Sequence, residues 1–353
     1  MPNLDKNSDF KISVILTNYN GMPFLEKSVD SIISQTYKNF ELIIVDDCST
    51  DDSSKFLKSL NFDRLKLIFN KKNIGQTLSL NKAIKLSNGS FIARMDSDDI
   101  STRNRFKEQI NYFKENPEID ILGSQAKIIN KSDIEIGEID VPSKHSAIWA
   151  YSLMHNPFIH PSILMKKKIF TNPHKAYCNK HINQDFDLWS RILLNHKAAN
   201  IKKRLLQYRV HDSNMTKTYM KKNIVSNVSI IKNRLKKEKI FFKIKTGEIF
   251  KIQEYFSDSR KVADKKNIDR LKLSKIYFRF YEFILTKYKI DKEFNFFFIN
   301  RILTSSFKFN FINPRKIISE IIFLTKIFVK FPKEMIIVLI KIFKKKIYGT
   351  KSS

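Results

Sequence analysis

The chain has 353 residues, 65 Lys and Arg against 35 Asp and Glu, a formal net charge of +30, and 42% apolar side chains. That length and apolar share allow two structural units, or one large domain with an appendage, and exclude disorder of the whole chain. Seven glycines and nine prolines exclude collagen-like and low-complexity classes, and the charge, which first suggests a polyanion partner, is confined to one part. Residues 1–200 hold 27 basic and 23 acidic side chains, whereas residues 201–353 hold 38 and 12.

The apolar run at residues 11–17 predicts a first strand, ending in the polar turn Asn18–Tyr19–Asn20–Gly21. A helical pattern follows from Pro23 to Gln35, and then a β-branched strand at residues 41–47 that stops at Asp46 and Asp47. A helix over Ser53–Leu60 follows the cap signal Ser49–Asp52. Leu65–Phe69 reads as a strand, Thr77–Leu86 as a helix, and Ser90–Met95 as a strand that again ends in acids. Strands alternating with helices at this spacing predict an α/β fold with a mostly parallel sheet, whose ligands bind beyond the carboxyl ends of the strands. Neither G-x-G-x-x-G nor G-x-x-x-x-G-K-[ST] occurs, which disfavours dinucleotide oxidoreductases and P-loop enzymes.

The stretch Ala93-Arg94-Met95-Asp96-Ser97-Asp98-Asp99 sets three carboxylates within four positions at a strand end. They repel one another unless a cation sits among them, and hard divalent ions favour carboxylate oxygens and bridge to phosphate. The alternative is that Asp98 or Asp99 caps a helix through Arg103–Phe113, which accounts for one acid but not three.

Taken in order, TNYNG, VDDCSTD, NIGQTLSLNKAI, GSFIARMDSDD, HPSILM, QDFDLW and YRVH make residues 10–215 resemble the family 2 glycosyltransferases, in the branch that builds bacterial surface polysaccharides such as capsule and O-antigen. The resemblance implies a GT-A nucleotide-sugar-binding fold, a nucleotide-sugar donor expected to be UDP-linked, a glycan or lipid-linked acceptor, inversion at the anomeric carbon, and Mn²⁺ or Mg²⁺ as cofactor. By position it implies that Thr17, Tyr19 and Asp47 hold the nucleotide base, with Asp46 capping or orienting. Asp96-Ser97-Asp98 matches the D-x-D motif, whose acids contact the ribose and the metal. Asp98 is the favoured metal ligand, with Asp96 or Asp99 supporting it; Asp96 is assigned to the nucleotide sugar and Asp99 to the metal, with the division among the three acids open. His211 matches a third metal ligand of some relatives. Asp185 falls at the catalytic base, and Asp187 reads as structural. Gln184 stands where the family usually has Glu, Leu80 where many relatives have Arg, and Cys48 where Gly is common. His160-Pro161 matches an acceptor-side motif, and Arg94 and Arg209 are either phosphate partners or partners of carboxylates.

Residues 216–353 carry no such motif and read as a basic, mostly helical region. Two amphipathic helices are expected in Lys316–Lys346, broken at Pro332, with Lys against Phe and Ile faces that either suit an anionic membrane surface or pack their apolar side on the catalytic domain, or both. Biased codon usage is a rival source of the lysines. Cys48 and Cys178 lack disulfide or zinc spacing, and the N-terminal residues show no apolar signal core. The expected location is therefore cytoplasmic, peripheral at the inner face of a bacterial inner membrane. Two other readings are a nucleic-acid-binding protein, disfavoured by the near-neutral first 200 residues, and a catalytically silent homologue that organises membrane assembly.

Overall fold

The computed structural model describes residues 10–171, 176–212, 220–257, 270–306 and 314–339. The chain forms two compact units: Met1–His145 with Asn156–Thr218, and Ser146–His155 with Tyr219–Ser353. Ser146–His155, which the division at residues 215 and 216 counts with the first part, thus groups with the second unit.

In the first unit the expected α/β alternation is present. It runs β1 (Ile12–Asn18), α1 (Leu25–Ile33), β2 (Phe40–Asp46), α2 (Ser53–Ser59), β3 (Leu65–Phe69), α3 (Gln76–Lys85) and β4 (Phe91–Asp96). β5 (Ile100–Ser101), α4 (Arg105–Glu115), β6 (Ile121–Ile129), β7 (Glu135–Ile139), β8 (Leu164–Lys166), α6 (Gln184–Ile192) and β9 (Ala198–Arg209) follow; α5 (His145–Tyr151) interrupts them. The sheet order is β3-β2-β1-β4-β8-β6-β9-β5, with β7 paired to β6. The four strands β3, β2, β1 and β4 are parallel, and the other half mixes antiparallel pairs with one parallel pair, β6 with β9.

β1 and β2 are buried along their whole length, as their unbroken apolar runs require of parallel strands covered on both faces. Leu25, Val29 and Ile32 of α1 and Phe106, Ile110 and Phe113 of α4 join the core. Each such side chain contributes about 1.5–3 kcal/mol on burial. Register then places the polar ends together: Thr17 lies opposite Asp96, and Asn18 opposite Asp46.

The described part of the second unit is helical: Met220–Lys237, Thr246–Ser257, Arg270–Lys287, Glu293–Ser306, Pro314–Lys330 and a helix over residues 332–339. Tyr277, Tyr281, Phe294 and Phe298 form an aromatic centre, and His155 Nε2 lies 2.7 Å from Tyr277 Oη. The helical break falls at Phe331, before Pro332, because proline supplies no amide hydrogen to continue the preceding helix. The lysines expected to extend this segment, Lys341 and Lys344–Lys346, lie outside the described residues. Among the described residues no helix is long and apolar enough to cross a membrane.

Gly89, at the start of the β4 segment, shows how tightly the parallel half is built. A Cβ there would stand 2.6 Å from both Lys11 O and Ser13 N, which are backbone atoms that cannot swing away. Gly89→Ala is expected to lower stability by about 1–3 kcal/mol, the range for overpacking, measured by urea titration; an unchanged midpoint would contradict the close approach.

Candidate active site

The carboxyl ends of β1 and β2 form one side of the site. Thr17 is buried, and its hydroxyl has no hydrogen-bond partner among the described residues, whereas Tyr19 is half exposed. Asp46 accepts hydrogen bonds from Asn18 Nδ2 (2.8 Å), Ser49 Oγ (2.6 Å) and Ser49 N (3.0 Å), so its role is to shape the β2 turn. Asp47 accepts from Asn70 Nδ2 (2.8 Å), Ile74 N (2.9 Å) and Gly75 N (2.7 Å), and thereby fixes the loop that leads into α3. Gly75 has φ +88°, a conformation that suits glycine. Cys48 has φ +66°, which gives a physical reason for glycine to be common at that position.

The end of β4 gathers Asp96, Asp98 and Asp99, each with an oxygen within 4.8 Å of the others. None of them caps α4, whose N-cap is Asn104. Burial pushes the Asp96 carboxyl up to about 6; Arg94 opposes the rise, while Asp98 and Asp185 add to it. Burial, then Asp98 and Asp96, pushes Asp99 well above the usual carboxylate range. Asp99 Oδ1 accepts the Arg209 amide at 2.7 Å, and its buried Oδ2 has no hydrogen-bond partner among the described residues. His211 joins the cluster, with Nε2 3.0 Å from Asp98 Oδ2.

Arginines stand behind these acids. Arg94, 1% exposed, pairs with Asp96. Arg209 donates from Nε to Asp98 O (2.7 Å) and from Nη1 to Asn130 O (3.0 Å), and pairs with Asp133 at 2.5 Å. Of the two roles open to each from sequence, both therefore make the carboxylate pairing.

Asp185 sits in the first turn of α6, whose N-cap is Asn183. Its Oδ2 accepts from Asn156 Nδ2 at 2.5 Å and its Oδ1 from Phe186 N at 2.7 Å. Burial raises its pKa, opposed by those two hydrogen bonds and by Arg94. Asp187 instead accepts from Arg191 Nε at 2.9 Å, one turn along the same helix. His160 Nε2 lies 2.7 Å from Tyr177 Oη, and burial, with help from Arg94, holds the imidazole well below its ordinary pKa and so neutral. Asn81 is turned to Tyr177: its Nδ2 donates to Tyr177 O (2.8 Å) and its Oδ1 accepts from Tyr177 N (3.1 Å). Gln184 Nε2 donates to Gln76 Oε1 at 2.7 Å, and Thr77 Oγ1 donates to Gln184 Oε1.

Asp96, Asp98 and Asp99 thus come together, His211 meets Asp98, and Asp185 is close enough to Asp96 to perturb it. Thr17 and Asp47 line the neighbouring strand ends, but Asp47 is already taken up by its loop. The sequence pattern does not single out Gln76, Thr77, Asn156 or Tyr177. Gln76 and Thr77 lie within NIGQTLSLNKAI without standing out there, and Asn156 and Tyr177 lie outside the quoted motifs, since an amide or phenol that bonds another side chain leaves no periodic trace.

The family described as "Glycosyl transferase family 2" matches residues 13–186. An uncharacterized glycosyltransferase of Haemophilus influenzae is 32% identical over 222 residues, covering 59% of this chain and 68% of the relative. The O-antigen biosynthesis glycosyltransferase WbnJ of Escherichia coli is 33% identical over 216 residues, covering 59% of this chain and 82% of WbnJ. Among solved structures, S. aureus TarS 1–349 in complex with UDP-GlcNAc has a TM-score of 0.55 at 16% identity, over 84% of this chain and 87% of that one. This likeness shows a shared fold, the expected GT-A fold.

Arg94→Met would leave Asp96 without its buried counter-charge. The expected loss is about 3–5 kcal/mol of stability, read by chemical denaturation, with Arg94→Lys losing less. Equal stability of Arg94→Met and the unmodified protein would show that the pair does not offset the burial of Asp96.

Proposed function

Since the chain belongs to glycosyl transferase family 2, we propose that it transfers a sugar, with inversion, from a nucleotide-sugar donor to a hydroxyl of a glycan or lipid-linked acceptor in surface polysaccharide synthesis. The observation that carries this reading is the Asp96–Asp98–Asp99 cluster, with His211 on Asp98 and Asp185 near Asp96, at the edge where parallel strands present their ligands. UDP is the nucleotide to test first, because the TarS fragment of the same fold is described in complex with UDP and with UDP-GlcNAc. WbnJ, an O-antigen enzyme, supports the polysaccharide role.

In this reading Thr17, Tyr19 and Asp47 receive the base, with the Tyr19 ring free to stack on it. Asp96, anchored by Arg94, faces the nucleotide sugar. Asp98, Asp99 and His211 would hold Mn²⁺ or Mg²⁺: carboxylate oxygens and an imidazole suit such an ion, and the unpartnered buried Oδ2 of Asp99 fits a ligand. When bound, the ion supplies positive charge to the diphosphate leaving group. Asp185 takes the proton of the acceptor hydroxyl as its oxygen bonds the anomeric carbon and the bond to the diphosphate oxygen breaks. Its raised pKa improves it as a base, and the Asn156 amide holds the accepting carboxyl in place.

Asp185→Asn should lower transfer by about 10²–10⁴-fold, the usual share of a general base, while leaving donor binding within twofold. Asp98→Ala should abolish the stimulation of transfer by Mn²⁺ or Mg²⁺. Radiolabelled sugar transfer, with and without a chelator, measures both, and full transfer by Asp185→Asn would end its assignment as base.

The second unit supports a place at the cytoplasmic face of the membrane. On residues 322–339, Phe323, Ile327, Phe331, Met335 and Val338 are buried, while Ile322, Val329, Ile336 and Ile337 are exposed alongside Lys326, Lys330 and Lys333. From Ile322 onward Glu334 is the only acid in the sequence, against eight lysines. Such a stripe can seat aliphatic side chains among lipid headgroups, with each lysine near an anionic surface worth about 1 kcal/mol. Val329→Asp with Ile336→Asp should cut co-sedimentation with phosphatidylglycerol vesicles at least fivefold, on the order of 1 kcal/mol. Unchanged sedimentation would remove this stripe as the membrane contact.

A further inference from the structure

We propose that α3 is a splint that sets Asp185 against Asp96, with Gln184 and Gln76 as its positioning residues; this rests on the reading of Asp185 as the base. Two ties join α3 to the segment that carries Asp185. At its N-terminal end Thr77 and Gln76 hold the Gln184 side chain, which is 7% exposed. One turn further on, Asn81 clamps both backbone groups of Tyr177. The first tie continues to the donor side, where Gln76 Nε2 reaches Asp96 Oδ1 at 3.4 Å. One line of polar contacts therefore runs from the residue beside Asp185 to Asp96, through the first turn of a single helix.

The line has a direction, and that direction explains an amide where the family usually has Glu. A primary amide donates and accepts, whereas a carboxylate only accepts. Gln184 accepts from Thr77 and donates to Gln76; Gln76 accepts from Gln184 and so has its nitrogen facing Asp96. A carboxylate in place of the Gln184 amide would force the Gln76 amide to turn its nitrogen toward that new acceptor. The Gln76 oxygen would then face Asp96, where two acceptors repel. A further buried negative charge would also be added next to Asp185, whose ionised form burial already disfavours. Gln184 is thus the residue type the line requires, and not the remnant of a lost acid.

The test compares Gln76→Met, Gln184→Met, the double variant and Gln184→Glu in the full chain, each checked for an unchanged thermal midpoint. Misplacement of a reacting group by about 1 Å costs up to about 10²-fold in rate. Each Met variant should therefore lower kcat roughly tenfold or more, with KM for the UDP-sugar donor within twofold. The double variant should be no slower than the slower single one, because each change breaks the same line. Gln184→Glu should also be slower than the unmodified protein. Amide hydrogen exchange supplies the arm that needs no substrate: Gln76→Met should speed exchange across residues 184–188 at least threefold. Multiplicative losses in the double variant, a faster Gln184→Glu enzyme, or unchanged exchange at residues 184–188 would each overturn the splint. If Gln76→Met is poorly folded, Thr77→Val is read by the same exchange measurement. Should the unmodified protein transfer no sugar from any donor offered, the sugar-transfer reading fails, and the exchange result still decides whether α3 holds α6 in place.

Discussion

Carboxylates packed together at a sheet edge repel, and the first unit is arranged to contain that repulsion. Two unit charges about 4 Å apart interact by about 4 kcal/mol at an effective dielectric of 20, and Asp96, Asp98 and Asp99 have oxygens within 4.8 Å of one another. Three buried guanidiniums lie behind them. Arg94 meets Asp96 directly. Arg209 secures the backbone of Asp98 and, through its own amide, the carboxylate of Asp99. Arg105 is fully buried and its pKa is pulled down to about 9 by that burial, with the nearby Asp99 resisting the fall. A buried cation is tolerable only when its donors are satisfied, and Arg105 donates from Nη2 to Arg94 O (2.9 Å) and Ile163 O (3.2 Å). The counter-charges are thus also struts: α4 is tied to β4, and the end of β9 to the turn after β4. This fixes the acids from both halves of the sheet.

How much of this was legible depended on whether a constraint acted along the chain or across it. β1 and β2 were readable because parallel strands buried on both faces must be apolar throughout, β4 because it is buried up to its acidic end, and the half-buried β3 because a short apolar run stands between two helices. The Asp96–Asp99 cluster was readable because four consecutive positions carry it. The other half of the sheet was not. β5 has two residues and β8 three, and the long β6–β9 pair shifts register around Ser124–Ala126, so no steady period of two survives. β9 also carries the exposed Lys202 and Lys203 in its middle, which reads as a break in an apolar run. Ser146–His155 could not be assigned to the second unit because its contacts there, such as His155 with Tyr277, span more than a hundred residues.

Single residues show the same divide. Asp47 lies where the resemblance puts a base-binding acid, yet its oxygens already accept three hydrogen bonds from the loop over residues 70–75. It therefore prepares that loop whatever else it meets. Arg94 and Arg209 were open between phosphate and carboxylate, and in the structure each, at 1% exposure, pairs with an acid of the fold. The net charge of +30 sharpens in the same way. Where the acids of the first unit gather, Arg94 pairs with Asp96 and Arg209 with Asp133, and residues 1–200 are nearly balanced in charge, so the excess carries no information about the chemistry there. It belongs to the helical part, where lysines share exposed helix surface with Ile322, Val329 and Ile336.

In the proposed reading the donor and acceptor sides, with Asp185 as the base, differ in kind for a physical reason. A diphosphate and its metal demand fixed charges at fixed strand ends, so they impose residue types that stand out in any sequence. An acceptor hydroxyl demands only that a base be held at the right place, and many side chains can do the holding. Here the holding is done by neutral groups: Asn156 on Asp185, Tyr177 on His160, and Asn81 on the Tyr177 backbone. A hydrogen bond between neutral groups contributes about 0.5–1.5 kcal/mol and one to a carboxylate such as Asp185 about 1.5–3 kcal/mol, and an uncharged donor leaves no unpaired charge of its own when exchanged. Such a framework can change by paired substitution while the acids across from it stay fixed. Gln184 with Gln76 is one such pair, visible only once the fold brings two residues 108 apart in sequence within hydrogen-bond reach.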